Sequence, residues 1–421
     1  MLKISSFLLV SIGFVVDSMQ GGGGGGAAVV LTVNGNGKDS FSNLARAPSR
    51  SLPLKLLKPL LLFAVLATGF LAAALLLLGG ASSYRLTVPD VLSAAARQPR
   101  CAQHQEEGGP TLERWTRPAA ASAWHNMTDD ELLWAASMEP RVRKYPYRRV
   151  PKVAFMFLTR GPLPLAPLWE RFFNGSSREL FSVYVHSTPG YRPDFPPTSV
   201  FYRRQVPSQV AQWGQTNMFD AERRLLANAL LDAGNERFVL VSESCVPLHG
   251  FPAVYRYLTG SRHSFVGAFV DPGPHGRGRY RPGLAPEVSP EQWRKGAQWF
   301  EVERDLAVFV VADDRYYPKF RELCRPPCYV DEHYMPTVMS IEAAGRIANR
   351  SVTWVDWSRG GAHPATFGGA DVGEAFLKKV AAEQRCLYNG QPSEVCFLFA
   401  RKFAPGALQP LLSLPPTLLG Y

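Results

Sequence analysis

Cysteine is missing from the first hundred residues of this 421-residue chain. The six that follow are Cys101, Cys245, Cys324, Cys328, Cys386 and Cys396. They form no pair of Cys-x-x-Cys units and have no accompanying histidine pair, so the ligand spacing of a structural zinc site is absent. Acidic residues are also short, 35 against 46 lysines and arginines, for a net charge of +11. No Lys/Arg block reaches the density of a basic arm, so this charge is too diffuse to point to nucleic acid. There is no internal repeat, and only one charge-free apolar run is long enough to span a membrane. What is plentiful is packing material. A hydrophobic fraction of 46% with 12% aromatics suits a folded body, and the length allows one large or two medium domains.

The single long run is Pro59 to Gly80, about the length that crosses a bilayer as a helix. Arg46, Arg50, Lys55 and Lys58 precede it, while Arg85, Arg97 and Arg100 follow, diluted by Asp90. The charge bias mildly favours a cytosolic N-terminus. The run lies too far into the chain, and is too long, for a cleaved signal peptide. Ile4 to Val16 is apolar but covers only about half a span. All six cysteines and three sequons (at Asn126, Asn174 and Asn349) come after the anchor, on the side expected to face an oxidising lumen. Cys324/Cys328 and Cys386/Cys396 are spaced for local bridges. The expected plan is a type II membrane glycoprotein of the secretory pathway. It has a glycine-rich, disordered cytosolic tail (1–58), a signal-anchor (59–80), a lumenal stem (81–150) with a short helix over Asp129 to Ser137, and a catalytic domain (151–421).

From Lys152 the texture alternates. Lys152–Thr159, Phe181–His186 and Arg237–Ser242 are apolar runs of strand length, the first two closed by Gly/Pro clusters. Pro167–Phe173 and Met218–Ala233 read as the helices between them, and Trp299 and Phe300 as the end of a further strand. This pattern predicts an α/β fold with a mostly parallel sheet, whose ligands bind beyond the carboxyl ends of the strands. Those ends are Thr159-Arg160, His186-Ser187 and Ser242-Glu243-Ser244.

Chemistry concentrates between Gln292 and Pro336. A basic, aromatic-rich segment (Gln-Trp-Arg-Lys-Gly-Ala-Gln-Trp-Phe) is followed by Asp331-Glu332-His333-Tyr334. Cations for a diphosphate leaving group, rings for a sugar face and a carboxylate to deprotonate a hydroxyl are what sugar transfer needs. The basic balance fits an enzyme handling anionic nucleotide-sugars, and equally a protein that simply carries many arginines. A glycoside hydrolase would need two carboxylates flanking a cleft, and only Glu332 presents itself.

Eight segments then occur in order: Lys152–Thr159, Gln212-Trp-Gly214, Ser242-Glu-Ser-Cys-Val-Pro-Leu-His249, Arg294–Phe300, Asp331-Glu-His-Tyr334, Thr353-Trp-Val-Asp-Trp357, His363-Pro-Ala-Thr-Phe367 and Ala400-Arg-Lys-Phe403. Over about residues 150–405 they resemble the plant branch of the core-2/I-branching β-1,6-N-acetylglucosaminyltransferase family. That resemblance implies a GT-A type nucleotide-sugar-binding fold, inversion at the anomeric carbon and a UDP-sugar donor. It also implies a glycan or glycoprotein acceptor, no cofactor or metal, and a place in the Golgi membrane, alone or in oligomers of Golgi enzymes. Glu332 matches the family's general base, with Asp331 beside it expected to cap the following helix. Lys402 matches the lysine that meets the leaving diphosphate, with Arg401 as its neighbour. The family's second phosphate-binding arginine has no clean counterpart; His363 or Arg359 lies in the right region. Cys245 stands where related enzymes carry an aspartate of the metal-binding Asp-x-Asp. Asp313-Asp314, the one adjacent aspartate pair in mid-domain, reads as a solvated turn, and Gly276-Arg-Gly278 as a flexible loop. Trp213 is expected to pack beneath the nucleotide. Trp354, Trp357 and Lys295 are candidates for acceptor contact, core packing being the competing role for the tryptophans. A catalytically silent glycan-binding or scaffolding relative is the alternative.

Overall fold

The computed structural model describes residues 122–421 except 141–143, 147–148 and 383–384. The expected tail, anchor and most of the stem lie outside the described residues, as does Cys101. No helix among the described residues is long and apolar enough to cross a membrane. Along the chain come α1 (Asp129–Ala136), β1 (Lys152–Leu158), α2 (Ala166–Phe173), β2 (Phe181–His186), α3 (Asn217–Leu230) and β3 (Asn235–Ser242). Next are β4 (Val246–Pro247), α4 (Phe251–Thr259), β5 (Glu301–Glu303), α5 (Arg304–Ala312), α6 (Tyr317–Leu323) and α7 (Val330–Glu342). The C-terminal part holds β6 (Thr353–Val355), α8 (Glu374–Ala382), β7 (Cys386–Tyr388), β8 (Gln391–Ser393), β9 (Phe399–Arg401), α9 (Leu408–Ser413) and α10 (Pro416–Leu419).

The central sheet runs β2-β1-β3-β5, with the first three strands parallel and β5 antiparallel to β3. From Val153 onward β1 is apolar because both its faces are covered, the signature of a parallel strand between helix layers. Side chains alternate across it. Val153, Phe155 and Phe157 enter one core with Trp169, Phe172 and Phe173 of α2 and Phe251 of α4. Ala154, Met156 and Leu158 enter the other with α3, α5 and α7. Pro167 opens α2, where a missing N–H costs nothing. Spacings of three and four then turn Trp169, Phe172 and Phe173 onto Phe155 and Phe251 in mainly edge-to-face pairs.

The crossover from β1 to β2 passes over one face, through α2, and that from β2 to β3 over the other, through α3. Right-handed connections require this when the chain steps left and then right. The strand order therefore reverses between β1 and β3, which opens a crevice beyond their carboxyl ends. Leu158 and Ser242 are register partners there. A second sheet, β4-β9-β6, returns the C-terminal region to this edge: Phe403 N–H donates to Ser244 O at 2.9 Å.

Four expectations need correction. The helix expected over Met218–Ala233 ends at Leu230, where Asp232 turns the chain by accepting from Gly234 N–H. Trp299 and Phe300 precede a strand instead of ending one: Phe300 O accepts from Leu240 N–H at 3.0 Å, and β5 starts at Glu301. The end of the expected stem belongs to the folded body. Thr128 and Glu131 form a capping box on α1, whose Leu132 and Ala136 are buried in the α3/α5 core, while Arg224 binds Asp129. The Gly276-Arg-Gly278 loop is a structured 3-10 turn, Arg277–Arg279. Disulfides join Cys324 to Cys328 and Cys386 to Cys396, while Cys245 is a buried free thiol. Asn126, Asn174 and Asn349 are all exposed.

Candidate active site

Glu332 sits in the first turn of α7, partly exposed. Its Oε2 accepts from Arg279 Nη1 at 2.7 Å, and Lys295 Nζ stands 4.0 Å from the same oxygen. Lys295 also faces Asp271 at 3.8 Å. The position of Lys295 is built by backbone pairing: it exchanges hydrogen bonds with Phe269, and the next N–H, of Gly296, donates to Glu332 O at 2.9 Å. Asp331 does not cap the helix. It is buried, Oδ1 has no hydrogen-bond partner, and burial, reinforced by the charge of Glu332, pushes its carboxyl up to about 7. The N-cap position is Tyr329 and makes no side-chain cap bond, while Asp331 lies inside the first turn, close enough to Glu222 for its charge to be felt there. The carboxyl of Glu222 is raised by the same burial and by Asp331, and it is held by Gln298 Nε2 at 2.8 Å.

A column of rings leads away from Glu332. The Arg279 guanidinium lies 4.4 Å from the centre of the Tyr329 ring. Trp213 is 5.3 Å from Tyr329, and His363 is 4.9 Å from Trp213. Trp213 is 51% exposed and forms an open wall. Its loop can lie this close because the next residue is Gly214, at φ +78; a Cβ there would stand 3.0 Å from the Tyr329 ring.

The second cluster lies at the crevice between β1 and β3. Phe367 N–H donates to Lys402 O at 2.8 Å, and Phe403 is tied to Ser244, which places Lys402 beside the end of β3. Arg160 stands two residues beyond the register pair Leu158 and Ser242, at the adjacent end of β1. Burial, then the charges of Arg401 and Arg160, press the Lys402 ammonium below the ordinary lysine range, with Glu243 opposing them. Arg401 is sunk against the Trp299 ring at 3.9 Å, and its Nε has no hydrogen-bond partner. Concentrated positive charge with one nearby carboxylate favours an incoming polyanion.

The two clusters are joined covalently and at short range. Segment 295–299 begins beside Glu332 with Lys295 and ends under Arg401 with Trp299. Its four steps span at most about 14 Å. Segment 363–367 likewise begins at Trp213 and ends at Lys402. The remaining candidates fall outside these clusters. Trp354 packs between Phe367 and Phe376 in the second core, the fate of most interior tryptophans. Trp357 is 52% exposed and Arg359 is exposed on the same loop. Asp313 is no solvated turn: it accepts from the N–H groups of Arg315, Tyr316 and Tyr317 and from Tyr334 Oη, fixing the start of α6. Among the described residues no group of three or more His, Cys, Asp or Glu could hold a metal ion. A cavity of about 320 Å³, lined by His249, Arg256, Tyr257 and Tyr388, contains none of the candidate residues.

Sequence reasoning missed Arg279 and Tyr329 and noted Arg160 only as a strand end. A glycine-spaced run of arginines at 277, 279 and 281 was the available signal for the first.

The comparisons with known proteins point the same way. Residues 153–381 match the family model described as Core-2/I-Branching enzyme. The chain is 38% identical over 308 residues to Glycosyltransferase BC10 of Oryza sativa subsp. japonica, covering 62% of this chain and 76% of the relative. The mixed α/β body with its parallel-rich sheet fits a GT-A-like fold. On the family match, the extent of the identity and this architecture, the chain belongs to the core-2/I-branching enzyme family and is a glycosyltransferase.

Proposed function

We propose that this glycosyltransferase is an inverting enzyme that needs no metal and transfers a sugar from a UDP-sugar to a glycan hydroxyl. The resemblance of its motifs to the β-1,6-N-acetylglucosaminyltransferases suggests N-acetylglucosamine as the sugar. The observation that carries the reading is the separation of two unlike clusters, a carboxylate at the head of α7 and cations at the β1/β3 crevice, by one short segment. In the reaction the acceptor hydroxyl gives its proton to Glu332 as its oxygen attacks the anomeric carbon. The bond from that carbon to the diphosphate oxygen breaks on the opposite face, and UDP leaves with the electron pair. Both cations that approach Glu332 do so at Oε2, which leaves Oε1 for the acceptor proton. Lys402 and Arg160 meet the leaving diphosphate, and Arg401 adds charge from below. Trp213 and Lys295 line the space between. The apolar run at 59–80 and the sequons beyond it support a type II protein with its catalytic domain in the Golgi lumen.

The test is UDP release by the purified protein across a panel of UDP-sugars, with and without glycan acceptors. Glu332→Gln should keep donor binding and lose about 10² to 10⁴ in turnover. Lys402→Ala should lower donor affinity and turnover together. A Glu332→Gln enzyme with an unchanged single-turnover rate would place the base elsewhere.

A further inference from the structure

Nothing in the family match or the sequence motifs assigns a role to Arg279, yet its surroundings are those of a working part. Its side chain is 8% exposed against 27% for Glu332, so the guanidinium is the deeper member of the pair. A surface ion pair is held by little and changes partners freely. Arg279 is fixed on several sides. Nη1 donates to Glu332 Oε2 at 2.7 Å, the plane lies over Tyr329, and Nη2 stands 3.5 Å from His275 Nδ1. Its backbone is held in a 3-10 turn whose N–H donates to Gly276 O at 3.0 Å. The turn is pinned in turn by Trp293, whose indole N–H donates to Gly276 O at 3.0 Å. Tyr329 is not free either, because its carbonyl accepts from Glu332 N–H and its ring is braced by Trp213. Lys295, by contrast, is 4.0 Å away and shared with Asp271.

We propose that Arg279 is the positioning residue of the transfer reaction: it clamps one carboxylate oxygen of Glu332 so that the other is aimed at the acceptor hydroxyl. The proposal rests on Glu332 being the base. A carboxylate at a helix head can turn about its terminal bond, and a single strong charge-assisted bond to a buried, pre-oriented guanidinium removes that freedom. Lys295 is a point charge at longer range and cannot impose the same plane. The proton still passes from the acceptor to Glu332; Arg279 exchanges none.

The experiment uses Arg279→Ala and Arg279→Lys in the full chain, with melting temperature and UDP binding as folding checks. Misplacing a catalytic group by about 1 Å costs on the order of 10²-fold, and that is the expected fall in kcat for Arg279→Ala, with donor KM within about twofold of the parent. Arg279→Lys keeps charge without the planar fork and should recover only part of the loss. Millimolar guanidinium, which fits the space left by the deleted side chain, should raise kcat of Arg279→Ala but not of Arg279→Lys. Introduced into Glu332→Gln, Arg279→Ala should cost little more, since the oriented group is already disabled. A folded Arg279→Ala with unchanged kcat overturns the proposal. So does a full additional loss in the Glu332→Gln background, or a defect confined to donor KM. Full activity of Glu332→Gln itself would instead remove the base assignment beneath it, so the two failures are distinguishable.

Discussion

Gly214→Ala is the sharpest perturbation the architecture offers, because one methyl group acts on the active site through a single neighbour. Gly214 has φ +78, a conformation that costs an L-residue about 1–2 kcal/mol. The added Cβ would also stand 3.0 Å from Tyr329 Cε1 and 3.5 Å from Cδ1. Carbon contacts settle near about 3.5–4.0 Å, so the ring must yield by a few tenths of an ångström. Tyr329 carries the stacked Arg279, and Arg279 carries Glu332. The variant should therefore lose about 1–2 kcal/mol of stability from backbone strain. It should also lose turnover out of proportion to that, on the order of tenfold or more, as displaced catalytic groups do. Gly175→Ala separates the two effects. Gly175 has φ +72 and nothing within 4 Å of its would-be Cβ, so it shares the strain without the contact. Urea melts give the stabilities, and saturating-substrate assays give kcat. If the two variants lose equal stability and both keep parental turnover, the column from Trp213 to Glu332 transmits nothing and the reasoning fails.

Transfer should persist in excess EDTA; loss restored by manganese would show that a metal is bound after all. Microsomes should protect the catalytic domain from added protease until detergent is present, and digestion without detergent would refute the lumenal assignment. Replacing Cys386 and Cys396 by serine opens a loop of sequence separation 10, and the chain-entropy relation gives a loss of about 3 kcal/mol, measurable in denaturant melts. His333 stacks on Trp293 and donates from Nδ1 to Arg294 O, and burial lowers its pKa to about 3. The folded state resists protonation that the unfolded chain accepts below about pH 6.5, so this contribution is full above that pH and declines as pH falls toward 3. At pH 5 the decline amounts to about 2 kcal/mol at the standard 1.36 kcal/mol per unit. His333→Gln should flatten the acid side of the stability profile relative to the parent, and identical slopes would refute the assignment.

The sheet was readable because its strands are made by local means. Runs such as Val153 to Leu158 are apolar on both faces, and Arg160-Gly161-Pro162 and Thr188-Pro189-Gly190 stop the first two strands abruptly. The second sheet was not readable, since β4, β6 and β9 are two or three residues long and exist only through pairing across the chain. The site divides in the same manner. Glu332 and Lys402 stood out through a family resemblance, while the clamp on Glu332 comes from Arg279, 53 residues away, and leaves no local pattern. Trp354 and Trp357 are three residues apart in one motif, yet one packs on Phe367 and the other is half exposed. Composition cannot separate them, because a tryptophan suits a core and a sugar face equally well. Asp331 and Glu332 pose the same difficulty: adjacent acids, one buried and drawn toward its neutral form, the other facing the opening.

The distribution of charge gives the site a direction. Around Glu332, Arg279 and Lys295 are matched by Glu332 and Asp271, and Asp331, pushed up to about 7, carries only part of a negative charge at neutral pH. That end is close to balanced, which suits a hydroxyl approaching a carboxylate without a strong field drawing phosphate to the same place. At the β1/β3 crevice, Arg160, Arg401 and Lys402 face Glu243 alone. Burial lowers both the Lys402 ammonium and the Arg401 guanidinium, and at Lys402 the charges of Arg401 and Arg160 add to it, so positive charge in this partly buried space is under-compensated. On the proposed mechanism an incoming diphosphate would compensate that charge, so donor binding would gain from an imbalance present before the donor arrives. The polarity follows from these two balances. On the proposed mechanism the diphosphate would occupy the crevice and the acceptor the head of α7, with the anomeric carbon between them along segment 295–299.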